Sequence, residues 1–261
     1  MKNPIFKLRN YLLLSLSIVC IFSYQHAAAQ QPVGIKNIVL VHGAFVDGSG
    51  WKPVYEILKK KGYQVSITQQ PLTSFDGDVA AVKRILAMQD GPCILVGHSY
   101  GGAIITVAGN DAHVAGLVYI AAHAPDSGES EGGNGKLYPS AYKSLQKGTD
   151  GFDYIAPDNF AADFAADLSK SAADFAANAQ MPAADVVFHA IIQNPAWKTK
   201  PSWYMVAKSD RIINPDLERM YAKRAKSTTV EVDGASHSVY ESHPEEVAKL
   251  IIDAAIHSPV K

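Results

Sequence analysis

The sequence predicts an α/β fold: about six mostly parallel strands, helices on both faces of the sheet, and a helical insertion that caps one end. Short unbroken apolar runs alternate with stretches of helical spacing between residues 38 and 256. Strands buried on both faces read as unbroken apolar runs, the mark of a parallel sheet. The rhythm breaks once, over roughly 127–200. The composition, 48% hydrophobic and 19% charged in 261 residues, is that of one large globular domain with a full core.

The first 29 residues differ from the rest. Lys2, Lys7 and Arg9 form a basic start with no acid, residues 11–22 are apolar, and Ala27-Ala28-Ala29 precede polar Gln30. This is the layout of a secretory signal peptide over 1–29, cleaved after Ala29. The apolar run is shorter than the roughly 17–25 residues of a membrane span. The expectation is therefore a periplasmic or secreted protein with no stable membrane association after cleavage. Removing those three residues leaves 21 basic against 25 acidic, about −4. No basic stripe appears, so nucleic acid is not an expected partner. Cys20 leaves with the leader, and Cys93 stands alone in an apolar strand, so no intrachain disulfide is expected.

Residues 38–41 read as a buried strand, 51–61 as a helix with Gly62 past its end, and 63–68 as an alternating strand. Val79, Val82, Ile85 and Leu86 share one face of a helix over 79–88. A strand at 93–96 leads to a glycine-rich turn and an apolar helix from Ala103. Strands follow at 114–121, 203–207 and 228–232, and a last helix at 244–256. The core is thus expected over 30–126 and 201–261, and the cap over 127–200. The cap opens with a Gly/Ser/Glu-rich loop and turns rich in alanine and aspartate. Its aromatics are Tyr138, Tyr142, Phe152, Tyr154, Phe160, Phe164, Phe175, Phe188 and Trp197, of which two to four are expected to face a substrate.

The chemistry centres on Gly97-His98-Ser99-Tyr100-Gly101-Gly102. A G-x-S-x-G pattern between a strand and a helix is a nucleophile elbow, whose glycines let the sharp turn pack. A serine hydroxyl needs a base. His237, in a small-residue loop after the last strand, fits that role; His243 is the rival, better read as a helix-start residue. Asp210, just past strand 203–207, fits the acid that orients the base, with Asp126, Asp216 and Asp233 as rivals and Arg211 as a possible partner. The oxyanion hole needs two backbone N–H groups. Tyr100 supplies one, and Ala44, or alternatively Phe45, supplies the other. The nine histidines lack metal-ligand spacing and no G-x-G-x-x-G follows a strand, so neither metal nor cofactor is expected.

Val39-Leu40-Val41-His42-Gly43-Ala44, the elbow, Ser209-Asp210-Arg211-Ile212-Ile213-Asn214-Pro215 and Ala235-Ser236-His237-Ser238 together resemble the α/β-hydrolase superfamily. The likeness is nearest to small capped bacterial esterases related to plant methylesterases and hydroxynitrile lyases. It implies an α/β-hydrolase fold with Ser99, Asp210 and His237 as a triad that cleaves a small-molecule carboxylic ester through an acyl-enzyme. Lactones and macrolactones are compatible. His123 departs from the resemblance, standing where such proteins often carry an apolar residue. With Phe45, Phe160 and Phe164 it is a candidate substrate contact. The alternatives are a hydroxynitrile-lyase-like lyase, for which Lys208 is the one nearby lysine, and a slow-turnover ligand receptor.

Overall fold

Apolar runs become strands where the sequence places them. The computed structural model describes residues 32–259, so the expected leader lies outside the described residues. The first four strands are β1 (Asn37–Val41), β2 (Gln64–Ile67), β3 (Cys93–Ser99) and β4 (Val114–Ala122). The insertion contributes three short strands, β5 (Leu145–Lys147), β6 (Phe152–Ile155) and β7 (Ala183–Ala184). The chain then returns through β8 (Ser202–Ala207) and β9 (Thr228–Val232). The main sheet has the order β2-β1-β3-β4-β8-β9, every pair parallel.

The strand period of two sorts the core into two layers. Val39, Val41 and Leu95 pack on one face; Ile38, Leu40, Ile94 and Val96 pack on the other. The nine helices of the described residues are α1 (Lys52–Lys60), α2 (Phe75–Leu86), α3 (Tyr100–Ala108), α4 (Glu131–Leu137), α5 (Pro157–Phe164), α6 (Lys170–Asn178), α7 (Pro215–Arg224), α8 (Val239–Ser242) and α9 (Pro244–His257). Residues of α2, α3 and α7 fill the first layer; those of α1, α8 and α9 fill the second. Helix α2 starts four residues before the expected 79, because Ser74 caps it by accepting from the Gly77 N–H at 3.2 Å.

Strand order reverses between β1 and β3, so the loops that follow them part and leave a crevice at their carboxyl ends. The insertion covers that end. It is helical in α4, α5 and α6, but it also carries the antiparallel sheet β5-β6-β7, which the composition did not announce. Strands of two to four residues are too short to show a period. Here turn chemistry sets them: Asp150 Oδ1 accepts from the Phe152 N–H at 3.1 Å at the β5–β6 turn.

Candidate active site

Strand β3 ends on Ser99 and α3 begins on the next residue, so the turn has no room to spare. Ser99 takes φ +53° and ψ −126°, a backbone conformation that strains a residue with a side chain by about 1–3 kcal/mol. Close packing holds it there. A Cβ on Gly101 would come within 2.5 Å of the His42 carbonyl oxygen, and one on Gly43 within 2.7 Å of the Ser99 Cβ. The loop after β1 therefore lies directly on the turn after β3, backbone against backbone.

Asp210 and His237 meet across two loops. His237 Nδ1 stands 2.5 Å from Asp210 Oδ2, with both side chains fully buried. Asp210 Oδ1 accepts from the backbone N–H of Ile212 at 2.7 Å and of Ile213 at 2.9 Å. Its two oxygens thus accept from three donors, and accepting from Nδ1 places the His237 ring proton on that nitrogen. His237 Nε2 is then the free lone pair, and it is buried with no partner. The rival acids are occupied elsewhere: Asp126 with Lys198, Asp233 with Lys208, and Asp216 with Arg219 at 2.8 Å. Arg211 binds Asp163 at 2.9 Å, not Asp210. His243 is half-buried at the start of α9, 3.6 Å from Asp167.

Several residues brace this pair. His98 lies under the turn, its Nε2–H donating to the His237 carbonyl at 2.9 Å. Burial, with His237 alongside, drives His98 well below the usual imidazole range, so it stays neutral. The cap holds the His237 loop from the other side. Ser236 donates its hydroxyl to Asp167 Oδ1 at 2.5 Å and its N–H to Asp167 Oδ2 at 3.1 Å, while the Ser238 N–H donates to the Phe164 carbonyl at 3.0 Å. Glu218 lies completely buried behind Asp210, accepting from the Ala207 N–H at 3.1 Å. Burial and then the charge of Asp210 push Glu218 well above the carboxylate range, which leaves it neutral. On sequence, Asp167 sits in an alanine-rich helical run and Glu218 in an ordinary helix start, so neither is recognisable.

On the opposite side, Tyr100 is the first residue of α3, where backbone N–H groups lack helical partners. Its hydroxyl donates to Asp78 at 2.7 Å, which anchors the ring. In the β1 loop Phe45 has φ +64°, a kink next to Ala44. Gln70, missed on sequence, donates to the His42 carbonyl at 2.6 Å and steadies this loop. Burial takes His42 down to about 4, consistent with a bracing residue and not a second base.

A cavity of about 250 Å³ joins Ala44, Phe45, Ser99 and His123 to Glu131 and Phe188. Tyr142 also lines it. Phe160 and Phe164, expected at the substrate, lie elsewhere. They are fully buried and stacked on each other at 4.7 Å, and Phe164 meets His237 edge-on at 4.7 Å. A four-residue spacing on one helix face cannot tell a ring that faces a ligand from one that packs the catalytic loop. Lys208 is outside this cavity too, held by Asp233. His123 Nε2 stands 3.2 Å from Glu131 Oε1. Burial lowers His123 to about 3 and raises Glu131 to about 8.

Comparison with known proteins fits this geometry. The sequence model of the alpha/beta hydrolase family matches residues 38–250. A pyrethroid hydrolase of Sphingobium wenxiniae is 27% identical over 248 residues, covering 85% of this chain and 88% of its own. The crystal structure of a pyrethroid hydrolase from Sphingobium faniae superposes with a TM-score of 0.70 at 24% identity, over 85% of this chain and 98% of that one. A methylesterase from Arabidopsis gives a TM-score of 0.70 at 18% identity, over 84% and 98%. These two structural likenesses concern the fold.

Proposed function

The chain belongs to the alpha/beta hydrolase family, and we propose that within it the protein is a serine esterase cleaving small carboxylic esters, lactones included. The observation that carries this reading is the 2.5 Å contact of Asp210 with His237 Nδ1, which leaves Nε2 free, beside the strained turn of Ser99, whose neighbour His98 donates to the His237 carbonyl. The name of the 27% identical relative, a pyrethroid hydrolase, supports an ester bond as the target. A cavity near 250 Å³ suits a substrate of modest size.

In this mechanism His237 Nε2 takes the proton of Ser99 as Oγ attacks the ester carbonyl. The oxyanion that forms is held by the N–H of Tyr100 and that of Ala44, with Phe45 the alternative. Asp210 stabilises the imidazolium without accepting its proton. His237 returns that proton to the departing alkoxide, and an alcohol leaves. Water, deprotonated by His237, then attacks the acyl-enzyme and releases the acid. His123 borders the cavity with its ring nitrogens turned to Tyr221 and Glu131. The basic, apolar and small-residue layout of residues 1–29 supports export to the periplasm or beyond. The test is Ser99→Ala. Hydrolysis of short p-nitrophenyl esters is expected to fall by at least about a thousandfold; survival near the wild-type rate defeats the reading.

A further inference from the structure

The cavity that holds Ser99 also holds a carboxyl group that the hydrolytic mechanism does not use. A run of hydrogen bonds fixes its surroundings. Arg224 binds Glu129 through Nη1 at 2.6 Å and Nη2 at 2.8 Å. Glu129 also accepts from Asn134 Nδ2 at 2.8 Å, which sets the orientation of the Asn134 amide. The same nitrogen therefore donates to the Tyr221 hydroxyl, at 2.9 Å. That hydroxyl turns its own hydrogen to His123 Nδ1, 3.4 Å away. A neutral imidazole that accepts at Nδ1 carries its proton on Nε2, and this Nε2–H donates to Glu131 Oε1 at 3.2 Å. Oε2 of Glu131 is buried and has no partner.

An ionised carboxylate here would have one donor and little water, a costly state. Burial raises the group to about 8, which keeps it as the acid near neutral pH. Oε1 accepts from the His123 N–H, so the proton of the acid belongs on Oε2, and Glu131 lines the cavity that holds Ser99.

We propose that Glu131, oriented by His123, is a substrate-binding group that donates a hydrogen bond to an acceptor oxygen on the ester, an ether or second carbonyl remote from the bond that Ser99 cleaves. This selects oxygen-bearing esters over all-carbon ones of the same shape. It rests on the esterase reading and names the substrate class of that site.

Two matched pairs test it: p-nitrophenyl pentanoate against its methoxypropanoate isostere for the acyl side, and butyl against methoxyethyl butanoate for the alcohol side. In the wild type one pair is expected to favour its oxygen-bearing member. Glu131→Leu is expected to cut that ratio of kcat/KM by about tenfold, the effect of one lost hydrogen bond to a buried group. Glu131→Gln is expected to keep it, because the amide accepts from His123 through its oxygen and donates through its nitrogen. Intrinsic ester reactivity cancels when the ratio in a variant is compared with the ratio in the wild type. Affinities for the ketone isosteres of both pairs, which cannot be hydrolysed, read the same contact without Ser99 chemistry. Loss of the esterase reading and loss of this one are thus seen separately. Ratios and ketone affinities in both pairs that do not change in Glu131→Leu overturn the proposal, as does a Glu131→Gln protein that behaves like Glu131→Leu.

Discussion

Two acid–imidazole pairs lie at the sheet's carboxyl edge, and they are built in opposite ways. Asp210 receives His237 and two backbone N–H groups, three donors on two oxygens. Glu131 receives the His123 N–H alone and leaves an oxygen bare. The difference lies in the donors: three converge on Asp210 and fix its orientation towards His237, while one reaches Glu131, whose burial raises it to about 8 and keeps it as the acid.

The largest effect should come from breaking the Asp210–His237 pair. Asp210→Asn leaves the shape but offers Nδ1 no anion, and kcat is expected to fall by about 10⁴, read on p-nitrophenyl esters. Titration sharpens the contrast next. Glu131 sits at about 8 when folded against an ordinary 4.5, so the folded chain keeps a proton that the unfolded chain gives up. Its contribution is complete below about 4.5 and is lost as pH rises to about 8. Glu131→Gln removes this dependence. Its advantage in denaturant unfolding over wild type is expected to grow by roughly a few kcal/mol between those two pH values. A constant gap would mean that Glu131 is charged throughout.

Smaller still is the cap's hold on the base. Asp167→Ala frees Ser236 next to His237, and kcat is expected to drop by about tenfold with KM little moved. The smallest effect belongs to Lys208, which pairs with Asp233 in solvent. Lys208→Ala should leave hydrolysis unchanged and stability within about 0.5 kcal/mol, measured by thermal melting. A large loss of activity would instead draw Lys208 into the site.

The sheet was legible because continuous apolar runs that bury both faces belong in a parallel sheet, and β8 lies within a residue of where its run falls. Asp210 and His237 were legible because each follows a strand, and strand ends converge on one edge. Glu131 was not. In a Gly/Ser/Glu-rich stretch it reads as a solvated loop acid, and only the fold of the insertion brings it to His123. Glu218 escaped for the same reason, since its burial is a property of how α7 packs under β8. Phe160 and Phe164 show the reverse: large rings in a cap invite a ligand role, yet their helix turns Phe164 onto His237 and stacks Phe160 on Phe164.

The turn at Ser99 has a consequence for evolution in the laboratory. With φ at +53°, this position suits glycine better than serine. Ser99→Gly would relieve the backbone and is expected to raise the melting temperature, while removing the hydroxyl that the proposed mechanism uses as its nucleophile. A library screened for heat tolerance alone would therefore enrich inert proteins, and the mutation that spoils the enzyme would rank among its improvements.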